Sequence, residues 1–463
     1  VKTTRFRAAW VLPIVSPPLR DGWVVVRDGV VVDIGTGTGA GTGVPRASIA
    51  DGERIEEVDL GRVAILPGLV NAHTHLELSW LWGKVPAAAS LPAWVSTLMA
   101  ARAAAGKDDP SAIASAVASL EEHGTAAVGD ISNTLASIGA LAHGRVDAVV
   151  FRELIGFSDA NDPEAMVAKA RADLNAAIAA TPPLHGARIR GALAPHAPYS
   201  VSPGLFAAIH RATAAIATTA ATASTVATGM RRLDEMSAEA GLAAASTSTP
   251  APATVPSSVH LGESLDELRF LRDGDGPWRD VLQRVGAWNP AWTVPRAKPV
   301  EYLEALGVLA AHLLVVHGVH LDDDELRTLA RHGATLVTCP RSNVWVGSGP
   351  PPIERFYASG VRVAIGTDSL ASATDLNLFS ELATLHHLAP QIPAARLLAS
   401  ATHEGARALG FTDLGTIAPG ARARLITIDL PLTLDDVETY LVEGIDPSQI
   451  AWVPDSHTRR HLP

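Results

Sequence analysis

From Leu69 onward the chain alternates short apolar runs with stretches of helical spacing, eight times over. The runs fall at residues 69–70, 125–130, 145–151, 187–194, 255–261, 312–316, 335–338 and 361–365. Apolar residues recur at helical spacing between many of them, for example over 91–102, 112–122, 163–180, 323–332 and 376–387. Short apolar strands, each followed by a crossover, pair in parallel and need cover on their outer face. Eight such units specify a closed parallel barrel rather than an open sheet.

The two ends of the chain read differently. Residues 9–12, 22–26 and 29–34 are strand-like, and Arg27-Asp28-Gly29 between two valine runs is a hairpin signal. β-signals return after Gly415, notably over 423–429. The expected α/β architecture is a (β/α)8 TIM barrel inserted in a small composite β-sandwich domain. Residues 1–65 and 411–463 make up the sandwich, and 66–410 the catalytic barrel. Ala, Thr and Ser dominate residues 212–258. A crossover needs only about a dozen residues, so this stretch is expected to be a partly disordered surface insertion rather than a lid.

Composition narrows the chemistry. A net charge of −11 over 463 residues, with no basic run, argues against a nucleic-acid surface. No uninterrupted apolar stretch of about 18 residues exists to span a membrane. The N-terminal Ala8-Ala9-Trp10-Val11-Leu12 is too short for a signal sequence and is broken by Pro13. The expectation is a cytoplasmic protein that takes a small-molecule substrate, with a homodimer left open. With Cys339 as the sole cysteine, a disulfide framework and a cysteine-based zinc site are excluded. Any metal must sit on His, Asp and Glu.

Such residues collect at the strand ends. In Asn71-Ala72-His73-Thr74-His75 the two histidines are two apart, and on an extended strand they aim at one point. His196, His260 and His317 end predicted strands, as does Asp368 in Gly366-Thr367-Asp368, and Glu263 follows His260 by three. Each alone has an ordinary structural explanation: a backbone hydrogen bond, a helix cap, a solvated carboxylate. Together they mark the face where barrel active sites lie.

These motifs, with Cys339-Pro340-Arg341-Ser342-Asn343, resemble the amidohydrolase superfamily, in its aminohydrolase and triazine hydrolase branch. The likeness leans to the S-adenosylhomocysteine and aminofutalosine deaminase side and covers nearly the whole chain. It implies one divalent metal ion, zinc as first choice and iron as second, on His73, His75, His260 and Asp368. Such a site lowers the pKa of bound water and generates hydroxide. It further implies that Asp368 takes the water's proton, that His317 orients the hydroxide, and that Glu263 carries a proton to a ring nitrogen and the leaving group. Binuclear relatives bridge two metals with a carboxylated lysine, and none of the five lysines here ends a predicted strand.

The implied function is a metal-dependent aminohydrolase, a hydrolase of carbon–nitrogen bonds other than peptide bonds. It would remove ammonia from an aromatic ring carbon of a purine-nucleoside-like substrate of the aminofutalosine or adenosyl type. The alternatives are a triazine-type chlorohydrolase or another C–N hydrolase of the same superfamily, and more remotely a non-catalytic scaffold. His196, Arg341, Glu77 and Trp94 are the candidate substrate contacts. Arg341 is a candidate carboxylate anchor, weighed against a structural salt bridge. Glu77 and Trp94 are weighed against packing, and Cys339 reads as a small core residue.

Overall fold

The computed structural model of the chain describes residues 2–37, 55–105, 109–158, 162–214 and 255–453. Most of the insertion expected over 212–258 lies outside them. The strands are β1 (Thr3–Val11), β2 (Leu19–Arg27), β3 (Val30–Thr36), β4 (Ile55–Asp59), β5 (Val63–Pro67), β6 (Leu69–Thr74), β7 (Thr125–Ser132), β8 (Asp147–Leu154), β9 (Ile189–Pro195), β10 (Ser257–Leu261), β11 (Leu313–His317), β12 (Thr335–Thr338), β13 (Arg362–Ile365), β14 (Leu425–Asp429) and β15 (Ile450–Trp452). They form a mixed α/β structure with three sheets.

The first sheet has seven strands and draws on both ends of the chain. Its path runs β15-β14-β5-β1-β2-β3, with β4 pairing β1. β14 lies antiparallel to β5, placing Leu425 opposite Pro67 and Asp429 opposite Val63. Val11, Val24, Ile65, Ile417 and Leu425 pack together on one of its faces. The alternation of buried and half-exposed residues along β1 fits a sheet with one face packed and one partly open.

Pro67-Gly68 is where the chain leaves this sheet. β5 ends at Pro67 in the ladder with β14, and β6 begins one residue later in a parallel sheet beside β7. A Cβ on Gly68 would lie 2.7 Å from that of Ala126. Glycine fits there because the Ala126 methyl and the Trp452 ring leave no room for a side chain.

The eight remaining strands form two parallel four-stranded sheets, β6-β7-β8-β9 and β10-β11-β12-β13. The expectation of one continuous eight-stranded ladder therefore meets two ladders, whose edges are linked by single bonds. At one seam the Ser257 hydroxyl donates to the Leu193 carbonyl (2.9 Å) and His260 N–H to the His196 carbonyl (2.9 Å). At the other, Thr74 pairs with Asp368 in an isolated parallel bridge, and the Thr367 and Asp368 amides both donate to the His73 carbonyl (3.1 Å). Regular pairing stops there because β13 ends at Ile365 and the chain turns sharply at Asp368, whose φ is +58°.

The expected helices are present as Leu91–Ala105, Pro110–Glu122, Pro163–Ala180, Asp323–His332 and Leu378–Leu388. Their ends carry local stop and start signals. Asp162 caps the amide of Glu164 ahead of Pro163, and Asp322 with Glu325 forms a capping box. Among the described residues, no helix is long and apolar enough to cross a membrane.

Candidate active site

The carboxyl ends of the parallel strands carry the predicted side chains to one place. β6 delivers His73, with His75 just beyond it; β10 delivers His260 and β11 His317, and Asp368 follows β13. One ligand nitrogen each of His73, His75 and His260 lies within 4.8 Å of the other two. Asp368 Oδ1 is 3.5 Å from His75 Nε2 and 3.9 Å from His73 Nε2. Ligand atoms about 2.0–2.2 Å from one tetrahedral ion stand about 3.3–3.6 Å apart; the Asp368–His75 spacing falls in that range and the Asp368–His73 spacing is slightly wider.

His73 and His260 are in the state a cation requires. His73 is fully buried, and neither of its ring nitrogens has a hydrogen-bond partner. Such orphaned atoms are costly unless something fills the site. Burial, reinforced by the neighbouring His75 and His260, holds the His73 imidazole well below its usual pKa. Burial also lowers His260. Both rings are therefore neutral, with lone pairs to donate. His260 Nδ1 lies 3.0 Å from the His196 carbonyl, which accepts its proton and leaves Nε2 as the ligand atom. Burial pulls the Asp368 carboxyl upward, but His75, His317 and the Ser342 hydroxyl (2.6 Å) hold it below the ordinary carboxylate range. The neutral His73 and His260 imidazoles, the His75 ring and one carboxylate fit a divalent cation.

Two further groups complete the centre. Glu263 Oε1 lies 3.6 Å from His317 Nε2. Burial, with Asp368 and Glu267 close by, raises the Glu263 carboxyl well above its usual pKa, which favours its proton-bearing form. Burial lowers His317 to about 4, leaving it neutral. His317 and Asp368 both hold positive φ, +76° and +58°. A non-glycine residue there carries strain of about 1–3 kcal/mol, a pattern that clusters at functional sites.

A cavity of about 670 Å³ opens over this centre, and His75, His196, His260, Glu263, His317 and Asp368 all reach it. Its outer part is apolar. Leu91, Trp94, Val95 and Leu98 face it from one helix, and Trp278, Val281 and Leu282 from the helix Pro277–Arg284. His196 is a lining residue, with Nδ1 2.6 Å from the Ser200 hydroxyl, and burial lowers its pKa to about 3.

Two expected substrate contacts lie outside the cavity lining and are engaged with other residues. Arg341 does not line the cavity. Its Nε donates to Glu381 Oε1 (2.7 Å) and its Nη1 to Asp375 Oδ2 (2.9 Å), so its donors serve a buried ion pair. Glu77 is also turned away. Its carboxylate accepts from the Ser132 and Thr134 hydroxyls and from the Asn133 and Thr134 amides, all at 2.8–3.0 Å. It holds the loop after β7 and has no acceptor capacity to spare for a ligand. Cys339 is buried, as expected of a core residue.

Sequence reasoning missed several lining or supporting residues. Glu153 and Asn133 face the cavity and are joined by a 2.9 Å hydrogen bond. Trp278 stacks on Tyr199 with ring centres 3.8 Å apart. Ser342 and Asn343 stand in the Cys339–Asn343 motif, yet nothing in the motif says that they bond Asp368 and His317.

Residues 290–452 match the family model described as "Amidohydrolase family". A 5-methylthioadenosine/S-adenosylhomocysteine deaminase of Moorella thermoacetica is 28% identical over 460 residues, covering 95% of this chain and 90% of the relative. An aminodeoxyfutalosine deaminase of Deinococcus radiodurans is 31% identical over 359 residues, covering 75% of this chain and 73% of the relative. Helicobacter pylori aminofutalosine deaminase, solved in complex with methylthio-coformycin, superposes with a TM-score of 0.73 at 22% identity over 97% of this chain and 100% of that one. An adenosine deaminase from Xanthomonas campestris with bound zinc gives 0.67 at 26% identity over 96% of this chain and 90% of that one. With the fold, the strand-end cluster and this similarity together, the chain belongs to the amidohydrolase family. It is a hydrolase acting on carbon–nitrogen bonds.

Proposed function

We propose that this protein is a zinc-dependent deaminase of a purine-nucleoside-like substrate, of the adenosyl or aminofutalosine type. The observation that carries the reading is the buried Glu263 carboxyl, 3.6 Å from His317 Nε2, raised in pKa by burial and opening into the same cavity as His75, His260 and Asp368. The assigned architecture is a (β/α)8 barrel over residues 66–410, made of the two four-stranded sheets. A composite β-sandwich from 1–65 and 411–463 lies beside it.

His73, His75, His260 and Asp368 would hold the ion. Bound there, zinc supplies Lewis acidity and lowers the pKa of a water molecule towards neutrality. Asp368 accepts the proton that this water loses. Glu263 donates its proton to the ring nitrogen next to the amino-bearing carbon, so that the carbon becomes tetrahedral as the water oxygen adds. His317 steadies the oxygen on that carbon. The C–N bond then breaks: Glu263 passes the hydroxyl proton of that carbon to the amine, which leaves with the bond pair as ammonia, a ring carbonyl remains, and the proton on Asp368 resets Glu263. The buried donors do this in a water-poor site, where a positioned acid contributes about 10²–10⁴-fold.

The cavity supports the substrate class. Its polar end takes the base, and Glu153, Asn133 and His196 offer hydrogen-bonding groups for a sugar. The apolar far wall, with Trp94 and Leu98, suits a substituent beyond the sugar. Arg102 is the sole arginine or lysine among the described lining residues. The test is ammonia release by the zinc-loaded protein from adenosine, methylthioadenosine, S-adenosylhomocysteine, aminodeoxyfutalosine and a chlorotriazine. Release from at least one nucleoside is expected. Halide release from the triazine with no nucleoside turned over would refute the reading.

A further inference from the structure

Asn343 has no part in the chemistry described so far, yet it is fully buried against His317. Its Nδ2 lies 2.9 Å from His317 Nδ1. The residue is rigidly placed: its amide donates to the Cys339 carbonyl (3.0 Å), and its own carbonyl accepts from Ser348 N–H (2.9 Å). Its Oδ1 has no hydrogen-bond partner.

A neutral imidazole carries one N–H and one lone pair, and an amide NH2 can only donate. With Nδ2 against it, His317 Nδ1 must supply the lone pair, and the ring proton must sit on Nε2. Nε2 is the atom that faces Glu263 Oε1, at 3.6 Å. A half-turn of the amide would put Oδ1 against Nδ1, draw the proton there and present a lone pair to the reaction centre. One side-chain orientation therefore decides whether His317 gives or takes a hydrogen bond.

We propose that Asn343 is a positioning residue that fixes His317 as the Nε2–H tautomer, making His317 a hydrogen-bond donor and excluding it as the general base. The assignment rests on the reading of His317 as the group facing the reacting carbon. It divides the work: Asp368 and Glu263 move protons, and His317 keeps its own. The orphaned Oδ1 is the cost of that orientation, since an unmatched buried acceptor is destabilising.

The direct test is the two-bond proton–nitrogen spectrum of the zinc-loaded full chain carrying ¹⁵N-labelled histidine. The His317 signals are assigned by their loss in His317→Asn. Nδ1 should show the shift of a lone-pair nitrogen and Nε2 that of a protonated one; the opposite pattern overturns the proposal. This spectrum needs no substrate, so its failure and a failure of the deaminase reading are separable. In Asn343→Asp the acceptor should drive the proton to Nδ1 and invert the pattern, whereas Asn343→Leu leaves both tautomers open. kcat should fall about 10–100-fold in the Asp variant and less in the Leu variant, with KM and zinc content near native. Equal losses in the two variants, with the spectrum unmoved in Asn343→Asp, would show that Asn343 only fills space.

Discussion

Glu263 Oε1 lies 3.6 Å from His317 Nε2, and both side chains are buried. Burial raises the pKa of the carboxyl and lowers that of the imidazole to about 4, so both groups are biased towards their uncharged forms, and both face one cavity. A reaction that protonates a ring nitrogen while oxygen adds to the neighbouring carbon would use that arrangement.

Glu263→Gln keeps the shape and removes the transferable proton. Turnover should fall about 10²-fold or more, and the zinc content of the purified protein should stay at the native level. Near-native ammonia release would remove Glu263 from the mechanism.

The metal set is tested through its support as well as its members. His260→Ala should abolish tight zinc binding. A Cβ on Gly366 would come within 2.7 Å of the His73 carbonyl oxygen and 2.8 Å of His73 Cβ. Gly366→Ala should therefore displace that ligand and weaken zinc binding about tenfold or more, the scale of an overpacking cost of ~1–3 kcal/mol. Chelator competition reads both, and unchanged affinity in either variant would contradict the assignment.

Arg341 distinguishes a structural cation from a substrate anchor. Arg341→Met leaves the fully buried Glu381 carboxyl without its partner. Losing one member of a buried pair costs about 3–5 kcal/mol, so Tm should drop clearly. The folded enzyme should keep its native KM. A rise in KM with unchanged Tm would restore Arg341 to the substrate site.

Trp94 is the one aromatic contact expected from the sequence that does line the cavity. Trp94→Leu removes part of the apolar wall. KM for a nucleoside with an apolar substituent should rise about tenfold, the scale of losing ~1.5 kcal/mol of buried apolar contact, with kcat little changed. An unaltered KM would place the substituent elsewhere.

The ligand cluster was legible because its signal is local. His73 and His75 share a strand face, and His260, His317 and Asp368 each end an apolar run, so strand periodicity alone points them the same way. The alternation of runs and helices likewise carried the α/β class and the return of the last strands to the first sheet. Arg341 and Glu77 could not be placed in this way. Their partners, Glu381 and the 132–134 loop, are 40 and about 55 residues away, and no local pattern says whether a charged side chain turns to solvent, to a ligand or to another element. Glu153 and Asn343 escaped for the same reason. The two seams between the parallel sheets depend on where single residues leave the ladder, and hydrophobic periodicity does not register that.

The central claim is that one ion on His73, His75, His260 and Asp368 is required for deamination. Metal-free protein should be titrated with zinc while bound zinc and ammonia release are measured in the same samples, using the best nucleoside of the panel. Activity should be absent at the start, rise in proportion to bound zinc and level off at one ion per chain. Full ammonia release from the metal-free protein, or zinc binding that leaves activity unchanged, would contradict the account.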